Sequence, residues 1–347
     1  MQLSKEKVGE INNQPVYSFT ITNKHGAELT CINYGCMITK MIVPDRQGEL
    51  ENVVLGYDTL EEYINDTFYL GAIIGPVGGR IKDAYFEMDE QTYTLTKNEQ
   101  ENHLHGGING FHRVIWDAEA FKKEDAAGVQ FKYMSADGEE GYPGNVLIKV
   151  TYTLNNENEL AITYEALSDK KTILTMTNHS YFNLSGNLKR DILDHTLKLK
   201  SDRFLELDQT LIPTGTILDV RNTPFDFTQE KNIKSGAVSN HPQNVLVGGG
   251  YDHPFLLKSN HDEEIILKDP ESGRKLTIET DEPGVIVYSG NSINKGNIRG
   301  VPSRKHLGIC LETQALPNAV HFPAFPSIRI QADKKYHSVT KYRFDAE

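Results

Sequence analysis

Apolar and polar residues alternate with a period of two along much of the chain. Val146, Ile148, Val150, Tyr152 and Leu154 interleave with Leu147, Lys149, Thr151 and Thr153. After Asn155-Asn156-Glu157-Asn158-Glu159 the alternation resumes with Leu160, Ile162, Tyr164 and Ala166. Two such runs around an Asn-rich turn predict a β-hairpin. The pattern recurs around Asp269–Gly273, between 264–268 and 276–280, and Ala84–Asn98 reads as another hairpin. Ser327–Phe344 reads as a last pair of strands. Helix signals are scarce. Thr59–Asp66 predicts one short helix, with Thr59 as its cap and Glu62 closing a capping box. There is no strand–helix–strand rhythm, which argues against a parallel doubly wound sheet. No long linker, repeat or low-complexity tract divides the chain. The expected fold is all-β: one large antiparallel β-sandwich, a single domain over residues 1–347.

Composition changes this picture in two ways. First, the formal net charge is -12. That sign argues against nucleic acid and anionic membrane as partners, because both need a positive surface, and it leaves a neutral small molecule open. Second, Cys31, Cys36 and Cys310 are too few for a disulfide framework. Reduced thiols and a cytoplasmic setting are therefore expected. Met1–Pro15 is polar and lacks the apolar stretch of a signal peptide. No run of 18 apolar residues suggests a membrane span.

Five segments concentrate groups that bind ligands or move protons: 75–81, 102–107, 178–184, 250–255 and 311–314. If Thr172–Leu184 is one extended strand, Thr175, Thr177, His179, Tyr181 and Asn183 share its more polar face. In Leu307–Gln314 the corresponding face holds Gly308, Cys310, Glu312 and Gln314, two small residues that leave room for a ligand. Taken singly, His179 has an ordinary alternative as a hydrogen-bonded structural histidine, and Glu312 as a solvated carboxylate on an outer strand. His103-x-His105 raises metal binding. A cupin-type site would add a Glu four or five residues on, where Asn109 and Gly110 stand. Arg80 follows a glycine-rich turn that lacks the Lys-Ser/Thr ending of a phosphate loop. Asp252 is either a ligand clamp or a turn residue. No G-x-S-x-G occurs to support a serine hydrolase. Trp116 is read as core and Gly248–Gly250 as a flexible turn.

Together these segments resemble the aldose 1-epimerase (galactose mutarotase) family. The motifs are Asn178-His179-Ser180-Tyr181-Phe182-Asn183-Leu184, Asp137-Gly138-Glu139-Glu140-Gly141-Tyr142-Pro143-Gly144, Leu104-His105-Gly106-Gly107, Tyr251-Asp252-His253 and Leu311-Glu312-Thr313-Gln314. They stand in the family's order from about Gly71 to Phe344. The resemblance implies a galactose mutarotase-like supersandwich. It implies His179 as general acid, Glu312 as general base, and Arg80, His105 and Asp252 as sugar-binding residues. Pro76 and Gly79 stand where the family commonly has Arg and Asn, and these departures bear on sugar preference. The implied reaction interconverts the α and β anomers of a free aldohexose such as galactose or glucose. The C1 hydroxyl loses a proton while the ring oxygen gains one, and the roles reverse on closure. This chemistry asks for an ionised Glu312 beside a protonated His179, and needs neither cofactor nor metal. The expected partner is the small-molecule sugar alone, bound by a monomer or homodimer. The competing expectations are a carbohydrate-binding or sensory protein without turnover, a relative acting on a phosphorylated sugar, and a metal-dependent β-sandwich enzyme using His103, His105 and a carboxylate.

Overall fold

The alternation along Val146–Asn155 is realised residue by residue. In the computed structural model, which describes residues 1–347, Val146, Ile148, Val150, Tyr152 and Leu154 are buried and the residues between them half-buried. The strand pairs antiparallel with Glu159–Ser168, from Leu154 opposite Leu160 to Val146 opposite Ser168. These two strands belong to a nine-stranded sheet. Its order is Asp117–Lys122, Ala126–Ser135, Val146–Asn155, Glu159–Ser168, Tyr336–Ala346, Arg274–Thr280, Ile265–Lys268, Thr196–Leu199, Lys231–Asn232.

Two further antiparallel sheets pack on the inner face of this one. A five-stranded sheet takes Gln2–Ile11, Gln14–Thr22, Glu28–Ile32, Ile38–Pro44 and Leu50–Asn52 in chain order. A six-stranded sheet runs Tyr181–Phe182, Ile309–Gln314, Gly284–Tyr288, Asp252–Leu256, Arg203–Leu207, Pro213–Asp219. One continuous apolar cluster draws on all three, with Phe19 and Leu29 from the first, Val150 and Tyr342 from the large sheet, and Leu311 and Val287 from the third. Backbone bonds from Leu55 to Tyr181 and from Asn183 to Val53 join the two smaller sheets edge to edge. Facing sheets with interdigitating inner side chains make a β-sandwich.

Helix is confined to short pieces. Leu60–Ile64 is capped as its sequence demands. The Thr59 side chain accepts from the Glu62 N–H, and the Glu62 carboxylate accepts from the Thr59 N–H. No helix is long and apolar enough to cross a membrane.

One expectation needs correction and another needs its pairing specified. Thr172–Leu184 is not one strand but three short ones, Thr172–Ile173, Thr177–Asn178 and Tyr181–Phe182. Each pairs with a different partner, because the segment passes from the edge of one sheet to the edge of another. Ser327–Phe344 does hold two strands, Arg329–Ile330 and Tyr336–Ala346, but they do not pair with each other. Arg329–Ile330 pairs with Thr172–Ile173, whereas Tyr336–Ala346 lies between Glu159–Ser168 and Arg274–Thr280 at the centre of the large sheet.

Burial ranks the effects of substitution. Leu311 is 1% exposed and reaches into the shared core, so Leu311→Ala should cost about 2–5 kcal/mol in chemical denaturation. Thr59→Ala removes one exposed cap and should cost about 1 kcal/mol. Equal losses for the two variants would contradict this placement of the core.

Candidate active site

The outward face of the six-stranded sheet follows from the same two-residue period. In Ile309–Gln314, Ile309 and Leu311 point into the core, so Cys310, Glu312 and Gln314 point the other way. Register then aligns side chains across neighbouring strands. Tyr181, Cys310, Tyr288 and Asp252 form one row, and Glu312, Ile286 and Pro254 the next. All of these except Cys310 line a cleft of about 250 Å³. His253, one residue from Asp252, is fully buried on the core side against Phe225. Glu312 is therefore on an interior strand, not an outer one. Gly308 is small because Leu55 and Tyr181 crowd it, leaving no Cβ space, rather than to admit a ligand.

Loops build the opposite wall. His179 lies between two short strands and is held by its backbone, with its N–H on the Ala72 carbonyl and its carbonyl accepting from Gly71. Arg80 and His105 sit on paired segments, Leu104 opposite Arg80. Gly79 has φ +78°, and a Cβ there would lie 2.9 Å from Pro317, so the turn requires glycine. Its N–H donates to His105 Nδ1 at 3.2 Å. Accepting through Nδ1 places the proton of neutral His105 on Nε2 and makes that ring a donor. Gln314 lines no part of the cleft. It donates to the Gly78 and Ala315 carbonyls and props the turn from behind.

All five residues singled out from the sequence meet in this cleft: His179, Glu312, Arg80, His105 and Asp252. His179 Nε2 lies 3.6 Å from Glu312 Oε1, with both side chains 4% exposed. That gap is too long for a hydrogen bond, so the two groups face each other without saturating each other. His179 Nδ1 rests 3.5 Å from the Cys310 sulfur. The Tyr69 ring wedges against His105, His112 and His179, with centroids 4.9, 4.8 and 5.7 Å away. Arg80 makes a forked ion pair with Glu99, Nε to Oε2 at 2.6 Å and Nη2 to Oε1 at 2.9 Å. Its Nη1 stands 3.9 Å from Asp252 Oδ2.

Burial sets the protonation states. Loss of water pushes the Glu312 carboxyl up to about 8, reinforced by Asp252 and opposed by Arg80. It pushes the His179 imidazole down to about 4. His105 is held well below its ordinary range by burial and by the neighbouring His179. Burial also raises Asp252, against the pull of Arg80. The unliganded cleft therefore favours neutral Glu312 beside neutral His179, not the ion pair the chemistry asks for. Both arrangements hold the same single proton.

His103 does not reach the cleft. Its Nδ1 lies 2.6 Å from the Thr96 carbonyl and its Nε2 2.7 Å from the Tyr142 hydroxyl, so both nitrogens are engaged. His105, His179 and Glu312 do have possible metal-binding atoms within 4.8 Å of one another. The Gly79 N–H argues against that use. A metal on His105 Nε2 would force a proton onto Nδ1, which already accepts one. Trp116 is core, with its indole N–H on the Phe111 carbonyl.

The sequence reading missed Glu99, Tyr69, Tyr181 and Tyr288 as cleft residues. Tyr181 was legible as a same-face neighbour of His179. Glu99 lies in a polar turn and Tyr69 in a left-handed loop conformation at φ 59°, and neither carries a periodic signal.

Comparison with known proteins places the chain in a family. The family described as aldose 1-epimerase matches residues 17–343. The chain is 40% identical over 318 residues to galactose mutarotase of Rattus norvegicus, covering 90% of each chain. It is 32% identical over 342 residues to aldose 1-epimerase of Escherichia coli, covering 97% of each. The crystal structure of galactose 1-epimerase from Lactobacillus acidophilus superposes with a TM-score of 0.89 at 28% identity, covering 99% of both chains. With the match running nearly end to end, the chain belongs to the aldose 1-epimerase family and is an isomerase.

Proposed function

We propose that His179 and Glu312 are the acid–base pair with which this isomerase interconverts the α and β anomers of a free aldohexose such as galactose or glucose. The observation that carries the reading is their placement, 3.6 Å apart and nearly dry at the base of a sugar-sized cleft. A carboxyl and an imidazole flanking C1 and the ring oxygen serve both proton transfers of ring opening. In that step Glu312 takes the C1 hydroxyl proton and His179 protonates the ring oxygen. In closure on the other face each group runs in reverse.

The shared proton reconciles this cycle with burial. The neutral pair and the working ion pair differ only in which group holds that proton; across 3.6 Å it passes through a sugar hydroxyl set between the two groups, which accepts from Glu312 and donates to His179. Sugar hydroxyls placed in the cleft supply polar partners for the carboxylate so formed, which lowers the cost of that move. Arg80, His105 and Asp252 hold the sugar: His105 as a donor through Nε2, Asp252 as an acceptor, Arg80 as a donor through Nη1. In this reading residues 1–347 act as one domain, supported by a core common to the three sheets. Three free, buried cysteines support a reducing, cytoplasmic setting. A phosphorylated sugar is disfavoured, because Arg80 is the sole Lys or Arg lining the cleft and Glu99 already occupies it.

Removing either partner tests the pair. His179→Asn and Glu312→Gln should each lower kcat by about 10²–10⁴, read by polarimetry on fresh α-D-glucose or α-D-galactose, with unchanged circular dichroism. Rates near wild type in both would sink the assignment.

The pH profile tests the single proton. Between about 4 and about 8 the pair holds one proton, so kcat/KM should be level there. Below about 4 His179 gains a second proton and no base remains. Above about 8 Glu312 loses the only one and no acid remains. A midpoint near the ordinary histidine value, with activity lost on its alkaline side, is the result incompatible with this scheme.

A further inference from the structure

Arg80 is the one permanently cationic side chain lining the cleft, against the carboxyls of Glu99, Asp252 and Glu312. A guanidinium offers two edges, Nε–Nη2 and Nη1–Nη2, that can bind a carboxylate or phosphate through two parallel hydrogen bonds, and in Arg80 Nη1 of the second faces Asp252 Oδ2 at 3.9 Å. The Nε–Nη2 edge is taken from within the protein by Glu99, at 2.6 and 2.9 Å. The pair is largely shielded, at 17% and 30% side-chain exposure, so solvent screens it less than an ordinary surface pair. The main chain that carries Glu99 is fixed. Its N–H donates to the Asn102 carbonyl, the Asn102 N–H donates back, and the Asn98 amide brackets Leu104. Gly79 beside Arg80 has no room for a side chain, so no second polar group can enter from that position.

We propose that Glu99 is a specificity-determining residue: a built-in carboxylate that fills the Nε–Nη2 edge of Arg80 and, with Asp252 facing Nη1, restricts the cleft to uncharged aldoses. The proposal rests on the cleft being the aldose site. An anionic sugar, whether a uronate or a sugar phosphate, must displace Glu99 from its fork or share the single Arg80 guanidinium with Glu99 and Asp252. A hydroxyl group faces neither cost and can still use Nη1. Replacing Glu99 by an uncharged residue frees the edge for an anion on the substrate.

The test compares kcat/KM for D-glucose, D-glucuronate and D-glucose 6-phosphate in wild type, Glu99→Gln, Glu99→Ala and Glu99→Asp. Wild type should favour glucose over both anionic sugars by about a hundredfold. Glu99→Gln and Glu99→Ala should each narrow that preference by about tenfold, the scale of one charge-assisted contact, with the change mainly in KM for the anionic sugar. Glu99→Asp keeps the charge and should keep the wild-type preference. Two results overturn the proposal. One is a preference unchanged in both uncharged variants while they still turn over glucose. The other is a wild type that takes glucuronate or glucose 6-phosphate as readily as glucose, an arm that needs no variant. Failure of the acid–base reading would show separately, as glucose turnover surviving in His179→Asn.

Discussion

A carboxyl and an imidazole stand 3.6 Å apart with almost no access to water, and the cost of charging either one governs the rest of the cleft. An unpaired ion in that position would be expensive. The protein meets the constraint by leaving one proton between the two groups. Burial raises the carboxyl and lowers the imidazole, so the resting pair is neutral and differs from the charged pair only in which group holds the proton. Arg80 and Asp252 act on Glu312 in opposite directions, so burial remains the main cause of its raised pKa.

Position comes from different sources on the two walls. Glu312 and Asp252 project from interior strands of the six-stranded sheet, where register and core packing fix them. His179, His105 and Arg80 come from irregular segments, and each is tied by a backbone bond, a ring contact or an ion pair. The Tyr69 ring against three histidines is the clearest such brace. A sheet floor with braced loops above it fits a reaction that needs two proton-transfer groups held still while the sugar turns over.

Much of this was legible in the sequence, for physical reasons that differ by element. Val146–Asn155 and Glu159–Ser168 could be read because each has one buried face, which enforces alternation. The Leu60–Ile64 helix could be read because its caps are local. Thr172–Leu184 could not, because it is buried on all sides and changes sheet twice, so its polar residues answer to three different partners. Glu312 was placed on the correct face but its dryness was not foreseen, since burial of a whole strand depends on neighbours far away in sequence. The ordered motifs brought His179, Glu312, Arg80, His105 and Asp252 together. Glu99, which no motif contains, emerged only from its contact with Arg80.

The neutral resting pair can be observed directly. Nitrogen-15 NMR of the His179 imidazole in the free protein, assigned by loss of its signals in His179→Asn, reports its charge and tautomer as pH is lowered. A neutral ring at pH 6 that becomes charged only near 4 is the result this account predicts. A His179 ring already charged at pH 6 in the free protein would contradict it.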